Sequence, residues 1–392
     1  MDVFLGEWAN LLLRWAHMIV GIGWIGTSFY FIALDYSLNR ERARKGVYGA
    51  AWQVHGGGFY HVEKYMVAPP QLPPHLHWFQ WEAYLTWVTG FGLLIVQYYL
   101  HANAYLIDPA VMALTPLQAI GISIGSLLAG WIIYDVLCRL LGERTPLLAI
   151  AVFALILAAS VLYTKVYSGR GAFLHVGAFV GTIMAFNVFA IIIPNQKKLI
   201  AQLVRGEEPD ARYGLIGKQR SLHNNYLTLP VLLMMVSPHY PFLFSHPQAW
   251  LIVALILVSG GLFRHVLNRV DAGDDWNKYG WSAPVAIFAL ICAIYLTSPA
   301  GKSAGNATIV GDAEVLAISA KHCVSCHAKK PTHESFQEAP KNVTLETIAD
   351  IKRFAPLVLS QTVQNKAMPL GNQTVMTDTE RETLGQWIRA HQ

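Results

Sequence analysis

"RWAHMIVGIGWIGTSFYFIALDYSL", residues 14–38, decides what kind of fold this chain has. From Trp15 to Leu34 it holds no Asp, Glu, Lys or Arg. A helix of that length, at about 1.5 Å per residue, crosses the roughly 30 Å hydrocarbon layer of a bilayer. Stretches of the same kind recur, giving candidate spans at 8–34, 82–101, 117–138, 146–164, 172–194, 223–237, 249–267 and 280–298. The sixth is short and carries Pro230. Trp8, Trp81, Trp250 and Trp281 flank the spans, where aromatic rings favour the headgroup level. Over 392 residues the chain is 54% hydrophobic and only 14% charged, with mean hydropathy +0.36, which excludes an ordinary soluble domain of this size. The expectation is an all-α, eight-span transmembrane bundle over residues 1–298. The opening "MDVFLGEWANLLLRW" has acidic residues before its apolar run and no small-residue cleavage site, so it reads as a retained helix.

Loop charges set the orientation, because Lys and Arg concentrate on the cytoplasmic side. The loop after span one holds Arg40, Arg42, Arg44, Lys45 and Lys64, and that after span three Arg139 and Arg144. Lys197, Lys198, Arg205, Arg212, Lys218 and Arg220 follow span five, and Arg269 and Lys278 follow span seven. The loops after spans two and six have no Lys or Arg, and that after span four has Lys165 and Arg170. Both termini therefore face outwards. The net charge of +5 is absorbed by this asymmetry, and no basic tract interleaved with aromatics points to nucleic acid.

Residues 299–392 have a different composition. "SPAGKSAGNATIVG" reads as a flexible tether, placed at 299–311, before a module at 312–392. That module contains "HCVSCHAKKP", residues 322–331. Cys323 and Cys326 are spaced to form thioethers with the two vinyl groups of one covalent haem c, and the adjacent His327 reaches the iron. A disulfide or zinc half-site would need further partners, and the tail has no second cysteine pair; Cys138 and Cys292 lie inside apolar segments. "DAEVLAISAKH" supplies a helix before the motif and "TDTERETLGQWIRAH" one after it. In this pattern the tail resembles a small class I cytochrome c. Met368, in "NKAMPLGN", is the expected second axial ligand, since Met/His ligation raises the potential as an electron acceptor needs; Met376 is the alternative. The orientation derived from loop charges independently puts this module outside, where bacteria attach c-type haem.

Ionisable groups within spans are costly and mark candidate function. His17 lies about 13 Å along its helix from Trp8. His175, near the outer end of span five, is the second such group. His17 precedes Gly23 and His175 precedes Gly181 by the same interval, which suggests two four-helix repeats. Histidines facing one another could hold a b-type haem, with Gly21, Gly23 and Gly26 making room. The alternative is helix-to-helix hydrogen bonding with glycines serving close packing. On the cytoplasmic side, "WQVHGGGFYHVEKYMVAPPQLPPHLHWFQWEAY", residues 52–84, concentrates histidines, aromatics and three glycines. His55, His61 and Lys64 are candidate substrate-binding residues for a planar anion, the alternative being an interfacial segment anchored by its aromatics.

With "RWAHMIVGIGWIGTSFYFIALDYSL", "HGGGFYHVEKY", "LHWFQWEAYLTW", "CVSCH" and "KAMP" in hand, the chain resembles the bacterial membrane-integral urate oxidases, also called urate hydroxylases, over nearly its whole length. The first span is also similar to the histidine-bearing helix of small membrane haem proteins of the protoporphyrinogen-oxidase type. The resemblance implies an inner-membrane enzyme that oxidises urate towards 5-hydroxyisourate. Electrons would leave through haem c to a respiratory-chain acceptor, such as a terminal oxidase or soluble cytochrome, without making hydrogen peroxide. A two-electron donor feeding a one-electron haem needs a second carrier or a stabilised radical. Two other classes remain: a pure conduit taking electrons from quinol or a partner dehydrogenase, and a transporter with a redox sensor.

Overall fold

The computed structural model describes residues 3–41, 43–65, 68–298, 310–334 and 336–391. The expected tether at 299–311 falls, as far as residue 309, outside the described residues.

The chain is mostly helical. α1 (Val3–Ser37) is long enough to pass through a bilayer and continue beyond it. α2 (Trp81–Leu93) runs on through a wider π turn, Leu94–Tyr99. α3 (Pro116–Leu141) starts with a Thr115–Gln118 capping box, and α4 (Thr145–Val166) has proline in its first turn. α5 (Gly169–Phe186) continues through a π turn into Ile193–Val204. α6 (Ala211–Val236), α7 (Ala249–Asp271) and α8 (Ser282–Thr297) complete the bundle. Six of the described helices are long and apolar enough to cross a membrane. The helices at the second and sixth expected spans fall outside that six: one is short before its π turn, the other carries Arg212, Lys218 and Arg220. Pro230 sits inside α6 because Gly260 of α7 leaves room, a Cβ there meeting the proline Cδ at 2.8 Å.

α5 is the central element, with most of its apolar window buried, whereas α1 lies on the rim. The core joins α3 to α7 through Tyr134, Tyr163, Phe173, Ile183 and Ile252. The outward side of α1, with Leu11, Trp15 and Ile19, stays exposed, as a lipid-facing helix would.

The expectation of an all-α chain needs one correction. Residues 49–64 form an antiparallel hairpin, β1 (Gly49–His55) and β2 (Gly58–Lys64), with His55 opposite Gly58. A two-residue turn of the type that matches strand twist needs positive φ at both central positions. Gly56 (φ 60°) and Gly57 (φ 80°) provide it, so these glycines serve the turn.

In the tail, α9 (Asp312–His322) packs against α10 (Asp378–Ala390) over a core of its own: Val315, Ile318, Leu345, Leu384, Trp387 and Ile388. Trp387 Nε1 donates to Asp312 at 2.8 Å. Lys321 and His322 meet Glu380, whose carboxyl is held well below its ordinary range by Lys321 first and then by the cap at Thr377. The tail rests on the end of the bundle that carries the loops after α2, α4 and α6, opposite the hairpin. Gly371 (φ 60°) marks the contact: a Cβ there would lie 2.8 Å from the carbonyl oxygens of Asn103 and Ala104.

Candidate functional site

One cavity of about 1160 Å³ joins the bundle to the tail, larger than the roughly 300–1,000 Å³ of ordinary small-molecule sites. Its tail wall includes Cys323, Cys326, His327, Met368 and Lys341. Its bundle wall runs inwards past Arg14, His17, Gln97, Arg170 and His239 to Trp24, Trp87 and Thr182.

The tail residues come from separate pieces of chain. α9 ends at His322 because Cys323 leaves the helix, which turns both cysteines and His327 towards the cavity. His327 Nδ1 lies 2.8 Å from the Val343 carbonyl oxygen, to which only Nδ1–H can donate. Its Nε2 is thereby left with the lone pair that a metal takes. Burial pushes the Cys323 thiol up to about 11, and the Cys326 thiol upwards as well. Such a setting disfavours thiolate and suits neutral thioether sulfur. Met368 shares the cavity wall, whereas Met376 is buried in the tail's apolar core. Arg381 steadies the Met368 loop by donating to the carbonyl oxygens of Thr362 (2.6 Å) and Met368 (2.5 Å). Among the described residues no three His, Cys, Asp or Glu side chains gather into a metal cage. The set fits a haem that Cys323 and Cys326 could hold covalently, with His327 and Met368 as candidate iron ligands.

The two membrane histidines occupy unlike places. His175 is fully buried and does not line the cavity; its Nε2 meets Ser123 Oγ at 2.8 Å and its Nδ1 the Gly171 oxygen at 2.7 Å. With both nitrogens engaged among Tyr98, Tyr163 and Tyr167, it acts as an interhelical hydrogen-bonding group. His17 does line the cavity. The Thr89 hydroxyl donates to the Leu85 oxygen at 2.6 Å, so its oxygen accepts from His17 Nδ1–H at 3.0 Å. Nε2 of His17 again keeps its lone pair. α2 can approach this closely only because position 90 is glycine, a Cβ there meeting His17 Cε1 at 2.9 Å. Gly21 has open space beside it and lines the cavity, whereas Gly23 faces Glu82 of α2.

The three hairpin candidates do not converge. His61 lies against Trp52 (centroids 4.5 Å apart) on one face, while His55 and Lys64 belong to the other. Those two sit at opposite ends of the hairpin, roughly 20 Å apart at strand rise. Lys64 forms an ion pair with Asp35. His55 borders a separate hollow of about 540 Å³ with Tyr30 and Tyr60. Trp52, Val54 and Phe59 are each at least 70% exposed, as aromatic and apolar anchors at a membrane surface would be.

A family profile described as urate oxidase N-terminal matches residues 3–296. The chain belongs to the urate oxidase N-terminal family. No curated protein and no solved structure matches it. Membership of the urate oxidase N-terminal family supports an oxidoreductase acting on urate, and the matched span covers every bundle helix.

Reading the sequence missed Arg14, Gln97 and Arg170 as cavity residues. Arg170 carried a signal, being a cation on the side where the orientation rule leaves few. It also missed a buried polar layer nearer the hairpin end. There Asp135 of α3 pairs with Arg220 of α6 at 2.7 Å, both side chains under 10% exposed. Tyr134 bonds His223 (2.7 Å) and Asn187 (2.9 Å) beside it. This layer ties α3, α5 and α6 together.

Proposed function

We propose that the chain oxidises urate to 5-hydroxyisourate and passes the electrons through a haem c in its tail to a respiratory acceptor. One observation carries the reading: the urate oxidase family region and the Cys323–Cys326–His327 motif open onto the same cavity. Urate and water give 5-hydroxyisourate, two protons and two electrons, so oxygen is not required as acceptor and no hydrogen peroxide forms. A haem held by Cys323, Cys326, His327 and Met368 supplies one-electron redox chemistry. Arg381 keeps the Met368 loop in place, and the Val343 carbonyl fixes the His327 ring.

Dividing the pair would take a second one-electron group or a stabilised substrate radical; His17, whose Nδ1 faces the Thr89 hydroxyl, would be the residue to hold a b-type haem. The proposed setting is a bacterial inner membrane, with eight spans over 1–298, a tether at 299–311 and a periplasmic cytochrome c domain at 312–392. The second and sixth spans are supported by helices packed within the bundle.

The test is urate consumption by purified full-length protein, followed with the reduced haem c band, with about two electrons delivered per urate. Retention of haem with no urate consumption refutes the reading. The apolar stretch of wall at Ile22, Ile25, Leu93 and Leu174 also suits a quinol. Reduction of haem c by quinol but not by urate would identify a conduit instead.

A further inference from the structure

We infer that urate binds at the outer end of the cavity, between Arg14 and Arg170, beside the tail and not at the cytoplasmic hairpin. This rests on the urate reading above.

Three observations bear on it. First, the described cavity wall carries Arg14, Arg170 and Lys341 and no Asp or Glu. Such a charge excess inside low-dielectric walls attracts an anion. Second, neither arginine has a carboxylate partner among the described residues. Arg14 is held by neutral groups only, donating from Nε to Asn10 Oδ1 and from Nη2 to Gln97 Oε1 at 3.1 Å. Arg170 lies over the Phe244 ring at 5.7 Å. Asn10 Nδ2 also donates to Gln97 Oε1, so this amide pair aims the Arg14 fork. Third, Gln97, which holds Arg14, precedes Tyr98 in the chain, and Arg14, Gln97, Tyr98 and Arg170 all line the one cavity, so α1 and α5 each bring a charge to it.

Arginine is a planar donor fork suited to flat oxyanions. Urate at neutral pH is a planar monoanion with carbonyl oxygens along its edges. Bound here, it would share one cavity with the haem motif, and its electrons would leave without crossing the membrane. Water entering from the outer side would supply the hydroxyl oxygen, and the two protons would leave by the same side. His239, an exposed residue, also lines this outer end.

Haem propionates share the carboxylate chemistry that two arginines recognise, and the experiment separates the two sources. Full-length protein is prepared as wild type, Arg14→Gln, Arg170→Gln, the charge-retaining Arg14→Lys and Arg170→Lys, and Arg144→Gln as a cytoplasmic-loop control. Equilibrium dialysis with labelled urate is run on dithionite-reduced protein, where no acceptor remains and urate binds without turnover. KM for urate and the haem spectrum are measured beside it.

The expected result is a roughly 10- to 100-fold weaker affinity and a matching rise in KM for each glutamine variant, the scale of one lost charged hydrogen bond. Partial rescue by lysine, unchanged haem content and an unaffected Arg144→Gln complete the pattern. Urate affinity that survives while haem content or potential changes assigns the arginines to propionates and overturns the inference. Unchanged affinity in both glutamine variants of a urate-consuming protein overturns it as well. A wild-type protein that keeps its haem and ignores urate refutes the function itself and this site with it.

Discussion

Gly371→Asn tests whether the docked tail is the electron-accepting arrangement. Gly371 has φ 60°, and its Cβ position lies 2.8 Å from two backbone carbonyl oxygens of the loop after α2 and 3.1 Å from the Ile107 oxygen. Two separate penalties attach to a side chain here. Left-handed backbone costs about 1–2 kcal/mol for most residues and less for asparagine, and it applies whether or not the tail is docked. The clash arises only in the docked state, and overpacking against backbone costs about 1–3 kcal/mol. Docking should therefore weaken by about 5- to 150-fold in Gly371→Asn, with tail folding nearly unchanged. Gly371→Ala adds the backbone strain and should also lower the melting temperature of the tail. Stopped-flow reduction of haem c by urate, with dithionite reduction as the docking-independent control, reads the difference. Urate-driven reduction of Gly371→Asn at the wild-type rate, with an intact tail, would refute the docked arrangement as the working one.

Met368→Leu should lower the haem potential and abolish the spectral signature of thioether ligation, because Met ligation raises potential. Met376→Leu, a volume-conserving change in the tail core, should leave both as they are and cost under about 1.5 kcal/mol; redox titration compares them. Asp135→Asn should destabilise the bundle by about 3–5 kcal/mol, since it leaves the Arg220 guanidinium buried without its counter-charge. The double change Asp135→Leu with Arg220→Met should recover much of that in a thermal melt. Burial raises the Asp108 carboxyl above its ordinary 3.8, against the Ala110 N–H, Arg381 and Asn372, which lower it. Arg381 and Asn372 belong to the tail and favour the charged carboxyl, so Asp108→Asn should weaken docking at neutral pH, measured as lost protection of the tail from proteolysis.

The positions of the helices were legible because a membrane span must satisfy every backbone group internally and therefore reads as one long apolar run. All eight expected stretches are helical; most ends shift by a few residues, but polar and charged turns carry the fifth helix on to Val204 and start the sixth as early as Ala211. The hairpin was not legible, since the residues on either side of its turn alternate only weakly between apolar and polar; the glycines that looked like a ligand cradle are the turn itself. His17 and His175 look alike in sequence, with the same spacing to a glycine. What separates them is Ser123, which occupies the second nitrogen of His175 from another helix, and no local pattern reports that.

The exceptions to the charge rule were the most informative residues. Lys and Arg gather at the hairpin end of the bundle, where the expected orientation already accounts for them. Lys165, Arg170 and Arg14 lie towards the other end and are not accounted for in that way. Lys165 is exposed at the end of α4 and does not line this cavity. Arg14 and Arg170 come from helices far apart in sequence and face one cavity with no carboxylate on its described wall. A cation kept in a span end against the orientation preference, with no carboxylate partner among the described residues, is open to pair with an anion from outside the chain, and that is the place the proposal gives to urate.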